Sequence, residues 1–363
     1  MKTKLNIKSV SVRAVVVPMH RVLQTSTGAV SVAPLLLVDM RTDAGIVGRS
    51  YLFSITRSAL KPIAALVEAM GEMLQGDAVA PFEIEKKLRA RHTLLGVHNI
   101  VLFAMSAIDM CAWDALGQAV GKPVVQLLGG APRPVLAYNS NGLGIQELKP
   151  LAKEAEQLVA DGFSAVKLRL GRPMAVADIE ALRAVKRAIG PKITLMVDFN
   201  QALTVSEAIR RGRMIDAEGG VLWIEEPIRA DNFAGCAEVA REVATPIQLG
   251  ENFMGPEQMA QAIAAACCDY VMPDAQRIGG VTGWMRAAAL AQGAGLEMSS
   301  HLFAEASCQL LAVTPTCHWL EYVDWADPVL EEPVRIENGR AVGAAGPGLG
   351  MKWNEKAVKK YAA

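Results

Sequence analysis

The stretch Ile193-Thr194-Leu195-Met196-Val197-Asp198-Phe199-Asn200 limits what this chain can fold into more than any other. Apolar and β-branched residues lead into a carboxylate, with an amide two positions on. The period-2 alternation of a strand puts Asp198 and Asn200 on one face. Two later runs repeat the design: Val221 to Pro227 reaches Glu225 and Glu226, and Pro246 to Glu251 ends on Glu251. The intervals 198–225 and 225–251 each fit one strand, one helix and two short loops. Neighbouring parallel strands would then deliver Asp198, Glu225 and Glu251 to the same end, which predicts a hard-cation site. Oxygen-only ligands suit Mg²⁺ or Mn²⁺ better than Zn²⁺, which prefers nitrogen and sulfur. A lone strand-end acid is more often a helix cap or a surface charge; acids on successive strands are not explained that way. Glu226 is expected to face away from the cluster, in a capping or helix-facing role.

The rest of the chain is consistent with an enzyme barrel. From the Gly129-Gly130-Ala131-Pro132-Arg133-Pro134 punctuation onward, strand and helix alternate. Strand ends fall at Tyr138–Ser140, Lys167–Leu170, Asp198–Asn200, Glu225, Glu251, Asp274, His301 and Glu321. Helical patterns separate most of them: Glu147 to Asp161, Met174 to Ile189, Val205 to Glu218, Phe233 to Val243, Pro256 to Ala266 and Gly283 to Gly293. This rhythm predicts a parallel barrel with functional groups at the carboxyl ends of its strands. An open doubly wound sheet would not be expected to place acids on so many consecutive ends. Before the barrel, three strand patterns (Val10 to Val17, Leu35 to Met40, Ile46 to Leu52) precede helical patterns at Ser58 to Met73, Pro81 to His92 and Asn99 to Leu116, an α+β unit. The Thr-, Ser- and Gly-rich stretch His20 to Val32 reads as a loop, either an active-site cover or an ordinary mobile connection. No helix is expected after Glu321. The expected division is 1–130 for the α+β cap, 131–325 for the barrel, and 326–363 for a segment returning to the cap.

Composition narrows the partners. Lys+Arg and Asp+Glu both number 37, so no net field draws in nucleic acid or an anionic membrane. No uninterrupted apolar run approaches the roughly 20 residues of a membrane span, and the N-terminus lacks a signal-peptide core. The six cysteines are scattered without a CxxC pair, as expected for reduced thiols in a cytoplasmic protein.

Among the remaining strand-end groups, Lys167 and Arg169 alternate with apolar residues and share a face. Such a pair is usually solvated edge decoration, but the barrel rhythm aims both at the interior mouth, where acids or an anionic substrate would partner them. His301 alone would be more often structural. Asp274, ending the preceding strand, would accept from its Nδ1–H and make it a defined general base. Glu321, near other acids, is expected to stay protonated and to donate a hydrogen bond. Asn141-Gly142-Leu143-Gly144 lacks the rest of a dinucleotide fingerprint, and Gly279-Gly280 reads as a turn.

With these residues in place, the chain resembles the mandelate racemase subgroup of the enolase superfamily. Ile108 to Gly117, Trp223-Ile224-Glu225-Glu226-Pro227, Met272-Pro273-Asp274, Ile278 to Trp284, Met298 to Phe303 and His318-Trp319-Leu320-Glu321 carry the likeness, with shorter matches at Ala33-Pro34-Leu35 and Gly48 to Phe53. The resemblance implies an α/β protein: a modified TIM barrel, (β/α)₇β, with an N-terminal α+β capping domain completed by the C-terminal segment. It also implies a homo-oligomer, often an octamer. It makes Asp198, Glu225 and Glu251 ligands of Mg²⁺ (or Mn²⁺), with Lys167, Ser140 and Asn200 around a 2-hydroxycarboxylate or acid-sugar substrate. Glu321 would donate to the substrate carboxylate, and His301 with Asp274 would move the α-proton through an enediolate. Leu23, Thr27, Val30, Leu302 and Val323 would line the substrate pocket. The departure is Arg169, where the family places a second lysine as the base for the opposite face. An arginine keeps its proton to a pKa above about 12; lowering it to ~7 costs roughly 7 kcal/mol at 1.36 kcal/mol per unit. Racemisation or epimerisation of a mandelate-like 2-hydroxy acid is thus weighed against dehydration of a polyhydroxy acid, which does not require a base on both faces. A catalytically silent metal-binding barrel is a third reading.

Overall fold

The structure, a computed structural model, describes residues 5–26 and 28–363. Its first unit is a three-stranded antiparallel sheet, β1 (Ile7–Thr25), β2 (Gly28–Thr42) and β3 (Val47–Phe53), in the order β1-β2-β3. From Ala33 to Met40 β2 is buried on both faces, and alternation divides its side chains between two cores. Leu36, Val38 and Met40 pack towards the cap helices, while Leu35 and Leu37 join the barrel core. Three helices follow: α1 (Leu60–Leu74), α2 (Pro81–His92) and α3 (Ile100–Val120). α2 begins on a proline, whose missing N–H is no loss there. α3 ends at Gly121, which supplies the left-handed φ of 66° that the stop requires.

The barrel runs β4 (Val135–Asn139), β5 (Ala165–Arg169), β6 (Thr194–Asp198), β7 (Ile224–Glu225), β8 (Ile247–Leu249), β9 (Tyr270–Val271), β10 (Glu297–Ser300) and β11 (Cys317–Tyr322). Each strand pairs in parallel with the next, and β11 closes on β4 through Leu320↔Ala137, Glu321↔Tyr138 and Tyr322↔Asn139. A four-residue helix, α4 (Val124–Leu127), precedes it. The crossover helices are α5 (Leu148–Ala160), α6 (Ala175–Ile189), α7 (Val205–Glu218), α8 (Phe233–Glu242), α9 (Pro256–Ala264), α10 (Gly280–Ala294) and α11 (Ala304–Val313). Every barrel strand but the last is followed by a helix, the (β/α)₇β arrangement. Inside, the alternation stacks layers: Ala165, Met196, Trp223 and Trp319 form an apolar plug with Tyr138. One pleat further along these strands come Lys167, Asp198, Glu225 and Glu321.

After β11 the chain turns back. A hairpin of β12 (Arg335–Glu337) and β13 (Arg340–Val342) pairs antiparallel with β4. The end then reaches the cap: Trp353 Nε1 donates to Asp39 Oδ1 at 2.8 Å, Val16 N to Tyr361 O at 2.8 Å, and Ala363 N to Ala14 O at 3.1 Å.

Four expectations need correction. The stretch His20 to Val32 is not a loop: β1 and β2 extend as a ribbon almost to their connection, with a register shift between Pro18 and Leu23. α11 was not anticipated, because it is buried nearly all round and shows no amphipathic period. A short helix, α12 (Glu355–Lys360), does follow Glu321. Finally, α3 is long and apolar enough by composition to cross a membrane, but 83% of that window is buried, between the cap sheet and the barrel. All six cysteines are free and five are buried.

Candidate active site

Strand register brings the acids together. Arg169 lies opposite Asp198, and Asp198 opposite Glu225, in one continuous ladder. Ligand atoms from Asp198, Glu225 and Glu251 all lie within 4.8 Å of one another. Lys167, 1% exposed, puts its Nζ 2.7 Å from Glu225 Oε1, 2.7 Å from Glu321 Oε1 and 3.2 Å from Asp198 Oδ2. Burial works against the lysine's charge, but Glu225 and Glu321 outweigh it and raise its pKa well above the ordinary value. Burial pushes the Glu225 carboxyl up to about 8 despite Lys167, with Asp198, Glu321 and Glu251 adding to the rise. One ammonium does not neutralise this cluster. An all-oxygen donor set whose own crowding opposes ionisation fits a small divalent cation, and the residues match Mg²⁺.

Two of these positions depend on backbone that alternation does not describe. β6 ends at Asp198; Asn200 (φ 45°) and Gln201 (φ 65°) are left-handed. The turn folds Asn200 back on Asp198, with N→Oδ1 at 2.7 Å and Nδ2→Oδ2 at 3.0 Å. Asn200 Oδ1 is left buried without a partner. Glu226 has a φ of 38°, and here the expectation that it faces away fails. Asn252 Nδ2 donates to both Glu226 oxygens at 2.8 and 2.9 Å and to Glu251 Oε1 at 3.2 Å, so Glu226 backs the acidic cluster.

Opposite stands the histidine. His301 Nδ1 lies 2.7 Å from Asp274 Oδ2, and its Nε2 lies 3.5 Å from Glu251 Oε2 and 3.7 Å from Glu321 Oε2. Burial lowers its pKa, but Glu251, Glu321 and Asp274 overcome that and raise it to about 9. Glu321 accepts from Ser140 Oγ at 2.7 Å and from Leu302 N at 3.1 Å. Burial alone would push its carboxyl up, but Lys167 and His301 win and hold it well below the ordinary range. The expectation of a protonated Glu321 is thus reversed: the crowding acids are outcompeted by two cations.

Arg169 is fixed. Its Nη1 donates to Ser140 O and Gly142 O, both at 3.0 Å, and its Nη2 to Ser140 Oγ at 3.1 Å; its Nε is buried without a partner.

These groups floor a cavity of about 180 Å³. Its upper wall is apolar, from Leu23, Val30, Phe53 and Ile55 of the cap and Leu302, Val323 and Trp325 of the barrel. Leu23, Val30, Leu302 and Val323 are where the sequence analysis put them; Thr27 lies outside the described residues. Ser140 sits behind Arg169 and Glu321 rather than on the wall. Phe53, Ile55, Gln276, Arg277 and Trp325 were not anticipated. The left-handed Ile55 (φ 65°) and the loop residues carry no periodic signal.

A capped (β/α)₇β barrel with three strand-end carboxylates gathered for a divalent cation, and a His–Asp pair across the cavity, defines an enzyme of the enolase-superfamily type. The chain belongs to the mandelate racemase / muconate lactonizing enzyme family: residues 7–129 match its N-terminal domain, and residues 150–357 match the enolase C-terminal domain-like unit. It is similar to an enolase from Bradyrhizobium complexed with magnesium and mandelic acid, at 43% identity and a TM-score of 0.96, covering 100% of both chains. An enolase from alpha pretobacterium bal199 with bound Mg is 42% identical, with a TM-score of 0.97 over 99% of this chain and 100% of that one. The L-talarate/galactarate dehydratase of Salmonella typhimurium is 31% identical over 329 residues, 89% of this chain and 81% of the relative.

Proposed function

We propose that the chain transfers the α-proton of a 2-hydroxycarboxylate bearing an apolar substituent, as a racemase or epimerase whose two faces are unequal. The observation that carries this reading is the division of the cavity: His301 in a tautomer set by Asp274 on one side, Lys167 and Arg169 on the other, and an apolar wall above. Asp198, Glu225 and Glu251 would hold Mg²⁺, which would supply the fixed positive charge that makes a carbon acid beside a carboxylate ionisable. Lys167 holds the substrate carboxylate, and Ser140 and Leu302 N hold the ionised Glu321 between Lys167 and His301. Asn200, on the cavity lining beside Asp198, contributes a polar contact around the substrate. His301 removes or returns the proton at Cα through Nε2, with Asp274 fixing the ring and stabilising the imidazolium. The mandelic acid in the Bradyrhizobium relative supports an aryl group on the apolar wall.

A second reading, dehydration of a polyhydroxy acid, is favoured by the state of Arg169. A guanidinium tied to two carbonyls and a hydroxyl is a donor and not a base. In elimination, the proton taken by His301 would go to a departing β-hydroxyl and Arg169 would stay a cation. The test is incubation with Mg²⁺ in D₂O with each enantiomer of mandelate and with polyhydroxy acids, followed by proton NMR and polarimetry. Exchange at Cα with inversion supports the racemase. Water loss to a 2-keto acid supports the dehydratase, and absence of exchange from every acid overturns both.

A further inference from the structure

β3 is an edge strand of the cap sheet, so the outer side of its backbone has no strand to pair with. At its last residue, Phe53, a side chain from the barrel takes that place. Gln276, buried in the turn between β9 and α10, accepts from Phe53 N through Oε1 at 2.8 Å and donates through Nε2 to Phe53 O at 3.2 Å. A carboxamide offers an acceptor and a donor side by side, as a peptide group does, and here both partners come from one residue. The backbone of the same glutamine reaches the proton-transfer pair. Gln276 N donates to Asp274 Oδ1 at 2.7 Å, while Asp274 Oδ2 lies 2.7 Å from His301 Nδ1. Phe53 in turn packs on Trp325, with ring centres 5.3 Å apart, and Phe53, Ile55 and Trp325 belong to the apolar wall. Ser54 N and Oγ both bond Pro34 O, which ties the strand end within the cap; Gln276 ties it to the barrel. One residue thus meets both the carboxylate that orients the base and the strand end that carries the wall.

We infer that Gln276 is a positioning residue for substrate discrimination. By pinning the end of β3 to the Asp274 turn, it sets the height of the apolar wall over the carbon that His301 serves, and so how strongly the site prefers a bulky apolar substituent to a small one. This rests on the reading of the substrate as a 2-hydroxycarboxylate with an apolar substituent. Gln276→Met keeps the length of the side chain and the backbone bond to Asp274, but leaves Phe53 N and O without their barrel partner. Peptide groups that lose such a partner gain by hydration, so the strand end draws away from the barrel and the wall recedes.

Affinities for mandelate and for lactate are measured by calorimetry on the Mg²⁺-loaded protein, so the result does not depend on turnover. The wild type should bind mandelate more tightly, and Gln276→Met should lower the ratio of the two affinities by about tenfold, the scale of one buried hydrogen bond lost. Gln276→Asn, whose shorter stem cannot span to both Phe53 groups, should lower it too and stands in if the methionine variant does not fold. In a Phe53→Ala background the methionine substitution should change the ratio by less than about twofold, because a residue that acts through the wall then has little left to move. A ratio that keeps its wild-type value in the single variants, or one that falls equally in the Phe53→Ala background, overturns the inference and leaves Gln276 a structural tie. A wild type without a preference for mandelate removes the apolar-substituent reading and the inference with it. Exchange at Cα is followed in parallel, and its absence beside an intact preference would sink the proton-transfer reading and not this link.

Discussion

At the scale of single residues, the sharpest feature is Arg169. Its carbonyl and hydroxyl partners account for both Nη atoms, and no nearby group offers to take its proton. With roughly 7 kcal/mol needed to make arginine a base at neutral pH, inversion should lag far behind exchange on the His301 face. Arg169→Lys supplies a group that can titrate, and the ratio of inversion to exchange should rise by at least about tenfold. Polarimetry and NMR in D₂O measure the two rates on one sample; an unchanged or lower ratio in a folded variant would rule out the two-base scheme. The carboxylates and the His–Asp pair were legible in the sequence because each stands at or within a few residues of the end of an apolar strand pattern. Asn200 and Glu226 were less so. Both adopt left-handed φ, and alternation has no meaning past such a residue, so the face of Glu226 came out wrong and Asn200 reaches Asp198 by a turn instead of a continued strand.

At the scale of elements, α3 links the two units through a buried acid. Asp109 accepts from the backbone and hydroxyl of Thr282 on α10, Trp113 Nε1 donates to the same hydroxyl at 3.0 Å, and Gly280 leaves the space a Cβ would fill. Burial raises the Asp109 carboxyl to about 7 against the pull of Thr282. An acid whose pKa is raised by folding contributes stability that is fully present below its unfolded value near 3.8 and is lost as pH rises through about 7. Over roughly three units that is at most about 4 kcal/mol. Asp109→Asn removes the ionisation, so the variant should gain on the wild type by up to that amount between pH 4 and pH 8. Urea denaturation at the two pH values reads the gap; a constant gap would show that Asp109 does not titrate in this window. The amphipathic helices were readable to within a few residues, Pro81–His92 and Val205–Glu218 at both ends. α11 was missed for the reason that α3 resembles a membrane span: a helix buried on all sides has no polar face to give it a period.

At the scale of the molecule, the site is complete only because cap and barrel meet. The β1–β2 ribbon docks on the loop after β4, with Ile145 N donating to Gln24 O at 2.8 Å and Arg21 lying 3.5 Å from Glu154. Gly144 allows this approach, since a Cβ there would fall 2.5 Å from Gln24 O. The wall therefore joins Phe53 and Ile55 from one end of the chain to Trp325 from the other, a meeting that no local pattern records. Below it the charged layer couples the fold to its cation. Lys167 is shared among Asp198, Glu225 and Glu321, and the burial that raises Glu225 makes an ionised cluster costly without further positive charge. Mg²⁺ binds the folded barrel and not the unfolded chain, so it should stabilise by RT ln(1 + [Mg²⁺]/Kd), about 2.7 kcal/mol at a hundredfold excess over Kd. The midpoint of thermal unfolding should rise with the logarithm of Mg²⁺ concentration and fall back with EDTA. Glu225→Gln keeps the shape, removes one ligand charge, and should flatten that dependence while abolishing exchange at Cα. A midpoint in the wild type that ignores Mg²⁺ would mean that the three carboxylates do not act as one site, and with that the proton chemistry assigned to this barrel would lose its electrostatic support.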